Sequence, residues 1–134
     1  MIEQNMNIRE IGWNLRVFYC PKTSSQRSIV LKCLYNAGCT GRNFRRAMTL
    51  LDSGALNTGF TYSNKRERKT IIVIGCSSDI AEFINTLTHE VNHFIEHVMK
   101  ALHITSGTED EAYFTGELYE LLCRDAVSSV LPLL

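Results

Sequence analysis

Two prolines, one tryptophan and four histidines are all that 134 residues hold of those types, and each scarcity removes a class of protein. Pro21 falls near a strand end and Pro132 in the tail, so no proline-rich linker divides the chain. No apolar run nears the roughly 20 residues needed to cross a bilayer. The opening MIEQNMNIRE places acids and amides where a secretory signal would place Lys or Arg before an apolar stretch. Cysteine is better represented, at five, but the number is odd and no C-x-x-C pair occurs. Cys20, Cys33, Cys39, Cys76 and Cys123 therefore read as reduced, mostly buried thiols of a cytoplasmic protein rather than a disulfide framework or a four-thiolate zinc knuckle. Repeats and low-complexity segments are also absent, which leaves one globular domain over residues 1–134 as the expectation.

Net charge is zero, yet its distribution is lopsided. Up to Gly75 there are 12 Lys and Arg against 4 acids, and from Cys76 onward 2 against 10. The basic residues concentrate in GRNFRR (41–46) and NKRERK (64–69). Phe44, the one aromatic among them, falls on the predicted buried face of its helix, so no exposed aromatic is left for base stacking. They read as solvated surface on a helix flank and a hairpin turn, and nucleic acid is not the expected partner.

The apolar pattern predicts an α+β domain: a short antiparallel sheet packed on helices, with a long central helix. Leu15–Cys20 (LRVFYC) reads as a strand ending at Pro21. Ser24 or Ser25 then caps a helix to about Ala37, with Gly38 as terminator. A second helix starts at Thr40 or Gly41, buries Phe44, Ala47, Met48 and Leu51 at i, i+3, i+4, i+7, and ends at Gly54. Thr58–Ser63 and the run TIIVI (Thr70–Ile74) flank a polar turn and form a hairpin. Ser77, Ser78 or Asp79 supplies the N-cap of a helix to Leu102, with Asp79 and Glu82 able to form a capping pair. Thr108 starts a last helix to about Ala126, leaving the apolar tail VSSVLPLL to pack as an irregular strand or against another molecule.

Three of the four histidines lie within ten residues of the long helix, in THEVNHFIEH (88–97). At about 100° per residue, Ile80, Phe83, Ile84, Leu87, Val91, Phe94, Val98 and Leu102 share one apolar side, and His89 and His93 lie opposite. Two imidazoles at i and i+4 can each place a nitrogen about 2.1 Å from one zinc ion, and Glu90 beside the first can take a proton from water. This is H-E-x-x-H. His97 is roughly 12 Å along the axis from His89, too far for all three imidazoles to hold one ion, so a third ligand must come from elsewhere.

The segment GTEDEAYFTGELYELL (107–122) offers five acids. Phe114, Leu118, Leu121 and Leu122 define its buried side, and Glu111 falls there, while Glu109, Glu117 and Glu120 point away and Asp110 is marginal. A buried carboxylate needs a countercharge, which a metal would supply. The alternative is a capping box of Thr108 with Glu111. The expected ligand set is His89, His93 and Glu111, with Glu109 or Asp110 next in line.

H-E-x-x-H followed by a glutamate 18 residues later on the next helix resembles the gluzincin branch of zinc metallopeptidases, the compact minigluzincins above all. It is also similar to small metallopeptidases of phages and bacteria. More distantly, it is similar to repressor-cleaving regulators with a third ligand in E-A-x-x-F-A. The resemblance covers about 62–122 and implies a zincin-like fold, zinc, and hydrolysis of peptide or protein substrates with Glu90 as general base. Longer gluzincins often carry an aspartate three or four residues after the third ligand, where this chain has Phe114 and Thr115. Tyr113 and His97 are candidate transition-state donors. The resemblance further implies an edge strand before the helix to hold substrate, and Thr70, Ile71, Ile72, Val73 and Ile74 are the candidates. The competing expectation is a zinc-containing binding or regulatory module that contacts nucleic acid or an acidic partner through the basic half.

Overall fold

Thr70 through Ile74 are all buried, and a strand buried on both faces must have helices on both. The computed structural model, which describes residues 1–129, has that arrangement. The elements run β1 (Ile2–Ile8), β2 (Trp13–Tyr19), α1 (Ser24–Asn36), α2 (Gly41–Asp52), β3 (Gly59–Asn64), β4 (Lys69–Ile74), α3 (Ile80–Leu102) and α4 (Glu109–Ser129). One four-stranded sheet has the order β1-β2-β4-β3. Val30 and Leu34 of α1 and Ala47 and Leu51 of α2 meet Phe18, Phe60, Ile71 and Val73 on one face. Phe83, Leu87, Val91, Phe94 and Val98 of α3, with Leu118 and Leu122 of α4, meet Leu15, Val17, Ile72 and Ile74 on the other.

The sheet is mixed rather than antiparallel. β2 and β4 pair in parallel, Leu15 opposite Thr70 through Tyr19 opposite Ile74, because the chain between them crosses over through α1 and α2. This corrects the assignment of Thr70–Ile74 as a substrate-binding edge. β4 is an interior strand, paired on both sides by β2 and β3, and the edges are β1 and β3. β1 was not anticipated. Its inward row is Ile2, Gln4, Met6 and Ile8, and Gln4 is buried because Nε2 donates to the Leu122 carbonyl at 3.3 Å and Oε1 accepts from the Tyr19 hydroxyl.

Several local expectations shift by a residue or a face. Thr23, not Ser24 or Ser25, caps α1 in a capping box with Gln26. Met48 is exposed on α2. On α3, Asp79 is the one of the three cap candidates that caps, but Ile80 and Ile84 are 52% and 55% exposed. The buried face instead includes Thr86, Glu90, Ile95 and Met99. Val127–Ser129 continue α4, and the rest of the apolar tail, residues 130–134, lies outside the described residues.

Cys20 and Cys76 are not reduced thiols but a disulfide, with Cα atoms 4.3 Å apart. Tyr19 and Ile74 are paired in the parallel ladder, so the residues that follow them emerge side by side. Cys33, Cys39 and Cys123 are free. The bond removes the thiol argument for a cytoplasmic location, since disulfides persist chiefly in oxidising compartments. No helix among the described residues is long and apolar enough to cross a membrane.

Between strand end and disulfide lies Gly75, buried against the chain before β3. A Cβ there would overlap the Ala55 carbonyl oxygen and sit 2.7 Å from its carbon, a clash with backbone that no rotamer relieves. Gly75→Ala is expected to destabilise the protein by about 3 kcal/mol or more, measured as a fall in the denaturant midpoint. An unchanged midpoint would refute this packing.

Candidate metal centre

α3 is anchored at its start, where Asp79 Oδ1 accepts from the Glu82 N–H at 2.8 Å. It ends where His103, the fourth histidine, takes a left-handed conformation (φ 58°) as the C-cap. Its apolar face seats on the sheet and its flank lies along β3. The flank carries the H-E-x-x-H residues. His89 Nε2 and His93 Nε2 face each other at 3.1 Å, with ring planes at 86°. Two nitrogens each about 2.1 Å from one ion at a tetrahedral angle would be about 3.4 Å apart, so the pair is already close to a chelating geometry. Ligand atoms of His89, Glu90 and His93 all lie within 4.8 Å of one another. The donor set, two imidazoles and a carboxylate, suits a divalent transition metal.

Glu90 is 4% exposed. Thr61 on β3 donates through Oγ1 to Glu90 Oε1 at 3.1 Å and lies 3.2 Å from the Glu90 carbonyl oxygen. Gly59, two residues earlier, makes the room, since a Cβ there would sit 2.6 Å from Glu90 Cγ. Burial pushes the Glu90 carboxyl above its ordinary value, against the opposing pull of the Thr61 bond and the two imidazoles.

The site opens into a groove of about 670 Å³. It is lined by β3, by the histidine face of α3, by Asn43 and Arg46 of α2, and by Lys65. Glu90 is the one acid among the lining residues. Among the described residues β3 pairs with β4 alone, so the groove follows an open edge of the sheet, the position misassigned to β4.

His97 also lines the groove, and its Nδ1 is 2.7 Å from Ser63 Oγ on β3. Burial, helped by the charges of Lys65 and His93, holds this imidazole below its ordinary value. The other two expected residues are elsewhere. Tyr113 is 70% exposed on α4 and does not line the groove. Glu111 does not join the imidazole pair. Its carboxylate turns back to the start of its own helix, accepting from the Gly107 N–H and from Ser106 Oγ at 3.3 Å, while Thr108 Oγ1 accepts from the Glu111 N–H at 3.4 Å. Of the two readings of Glu111, the geometry is that of the cap. Thr61, Gly59 and Ser63 were missed by sequence reasoning. A glycine opening a strand, where another group can approach the backbone closely, was the one local signal.

Compared with protein-family models, curated proteins and solved structures, the chain matches none of them.

A carboxylate buried without a cation is held at a cost in stability. Glu90→Gln keeps an acceptor for Thr61 and removes the charge. In metal-free protein at neutral pH it is expected to stabilise the fold by about 1 kcal/mol, a few degrees in Tm, read by thermal unfolding in chelator. A lower Tm would show that the carboxylate is not penalised by its surroundings.

Proposed function

We propose that this protein is a metal-dependent hydrolase, with zinc as the ion and the peptide bond as its target. The observation that carries this reading is the pair of facing imidazole nitrogens beside a buried carboxylate, set in a groove along a free strand edge. His89 and His93 would hold the ion, which when bound acts as a Lewis acid, lowering the pKa of water and polarising a carbonyl. Glu90 has Oε1 held by Thr61, which leaves Oε2 free to take a proton from water entering the groove. The same oxygen returns the proton to the departing amine, so the acid and base roles belong to one group. β3 offers its unpaired backbone edge to an extended peptide, by the pairing that adds a strand to a sheet.

A specific observation favours a second reading. The Glu90 carboxylate is within reach of the space between the imidazoles, so it could be the third ligand of a non-catalytic, metal-containing binding module. The basic half would then serve an acidic partner. In that reading Glu90 is not a base.

One set of variants separates the two. His89→Ala and His93→Ala should each lower retained zinc from about one equivalent to a small fraction of that. Glu111→Ala should retain it and lose only about 1 kcal/mol of capping stability. Under the hydrolase reading Glu90→Gln keeps zinc and loses about 10³-fold in cleavage of a quenched fluorescent peptide library. Loss of zinc by Glu90→Gln, or no cleavage by zinc-loaded wild type, would favour the binding module.

A further inference from the structure

A line of polar side chains, buried at Trp13 and Thr70 and half-buried at Ser63 and His97, runs across three strands on the α3 face of the sheet to the groove. Trp13 Nε1 is 2.8 Å from Thr70 Oγ1, Thr70 Oγ1 is 2.7 Å from Ser63 Oγ, and Ser63 Oγ is 2.7 Å from His97 Nδ1. Three of the four residues come from three adjacent strands and the fourth from α3.

The directions of these bonds follow from the chemistry of the groups. An indole N–H only donates, so Thr70 Oγ1 accepts from Trp13. The Thr70 hydroxyl is buried and, among the described residues, its other partner is Ser63 Oγ. Its hydrogen must go there, because a buried donor without an acceptor is costly. Ser63, now accepting from Thr70, has one hydrogen left, and among the described residues its acceptor is His97 Nδ1. Nδ1 therefore carries no proton, and in the neutral ring the proton sits on Nε2. A charged His97 would present Nδ1–H to Ser63 and take from the serine hydrogen its protein acceptor among the described residues. Burial, which lowers the proton affinity of this ring, acts in the same sense.

We infer that the Trp13–Thr70–Ser63 chain locks His97 as its neutral Nε2–H tautomer, making it a fixed hydrogen-bond donor to a backbone carbonyl of an extended peptide on β3, not a metal ligand. Nδ1 is occupied by Ser63, and Nε2 carries a hydrogen instead of a lone pair. β3 and α3 advance together, Thr61 contacting Glu90 and Ser63 contacting His97. His97 is one turn beyond His93, about 6 Å along the helix, which is about two residues of extended chain. Its donor thus falls about two residues from the reacting bond, a positioning role. The carbonyl-binding part rests on the hydrolase reading above, and the tautomer does not.

The test is long-range 1H–15N NMR of histidine-labelled, metal-free protein at neutral pH. Wild type and Ser63→Thr, which keeps the hydroxyl, should show His97 with a pyridine-type Nδ1 and a pyrrole-type Nε2. Ser63→Ala should shift both toward the average of mixed tautomers. A pyrrole-type Nδ1 in wild type, or an unchanged spectrum in Ser63→Ala, overturns the lock. Zinc added to wild type should move His89 and His93 signals and leave the His97 pattern in place, whereas loss of the His97 Nε2 proton would make it a ligand. With a peptide selected from the fluorescent library, His97→Ala should raise KM about tenfold with kcat within about twofold. A fall in kcat at constant KM would overturn the positioning role. A wild type that cleaves nothing in the library removes that role together with the hydrolase reading, while the NMR result decides the tautomer by itself.

Discussion

The placement of the Glu90 carboxylate against β3 governs the site. A helix whose buried face was purely apolar would centre Val91 and Phe94 on the sheet and leave the whole H-E-x-x-H flank in solvent. Here the carboxylate is inside, accepting from Thr61 and occupying space that Gly59 leaves open. That contact sets the rotation of α3. Ile80 and Ile84 turn outward while Thr86 and Ile95 turn in, and the imidazoles of His89 and His93 line the groove, open to solvent. One polar contact with the edge strand thus orients four side chains of the candidate site, because His97 follows two turns after Glu90 and reaches Ser63 on the same strand.

Much of the fold was legible from pattern. The TIIVI run, the polar turn before it, the Asp79 cap and the end of α3 at Leu102 all stand where periodicity and capping chemistry place them. β1 was hidden because its inward row, Ile2, Gln4, Met6, Ile8, is broken by an amide. Its burial depends on partners at Tyr19 and Leu122 that local sequence does not reveal. The disulfide was hidden for a related reason. Cys20 and Cys76 each stand just beyond an apolar strand, but they become neighbours only once β2 and β4 are known to run in parallel. Parallel pairing requires knowledge of the crossover, which the hairpin reading of 58–74 did not supply.

The site was legible where its residues share one helix and obscure where they do not. His89, Glu90 and His93 are close in sequence, and helical spacing alone brings their ligand atoms together. Glu111 depended on a relation between two helices. Its angular position on the Phe114–Leu118–Leu122 stripe suggested burial, but orphan backbone donors stand at the start of α4, and the carboxylate bonds the Gly107 N–H there. Local bonds of this kind compete well with distant ligands, since they order few residues. The Trp13–Thr70–Ser63–His97 line has no sequence signature, being assembled from three strands and a helix.

The segment that sets α3 against the sheet is restrained more heavily than a connection of its length requires. The disulfide fixes Cys76 to the end of β2, Gly75 is packed on Ala55, and the Ser78 N–H donates to Asn57 Oδ1 at 2.9 Å while Asn57 Nδ2 donates to Ser78 Oγ at 3.0 Å. Asp79 then caps the helix directly. These bonds tie the start of α3 to β2 and to the approach to β3, so the helix cannot slide along the sheet without breaking several at once. A slide of one residue would move Glu90 about 1.5 Å past Thr61 and rotate it by about 100°, exposing the carboxylate and separating His97 from Ser63. The restraint lies some ten residues from the histidines, yet it holds them in register with the strand edge they face. Rigid supports at a distance are what a side-chain constellation of this kind needs to keep its geometry.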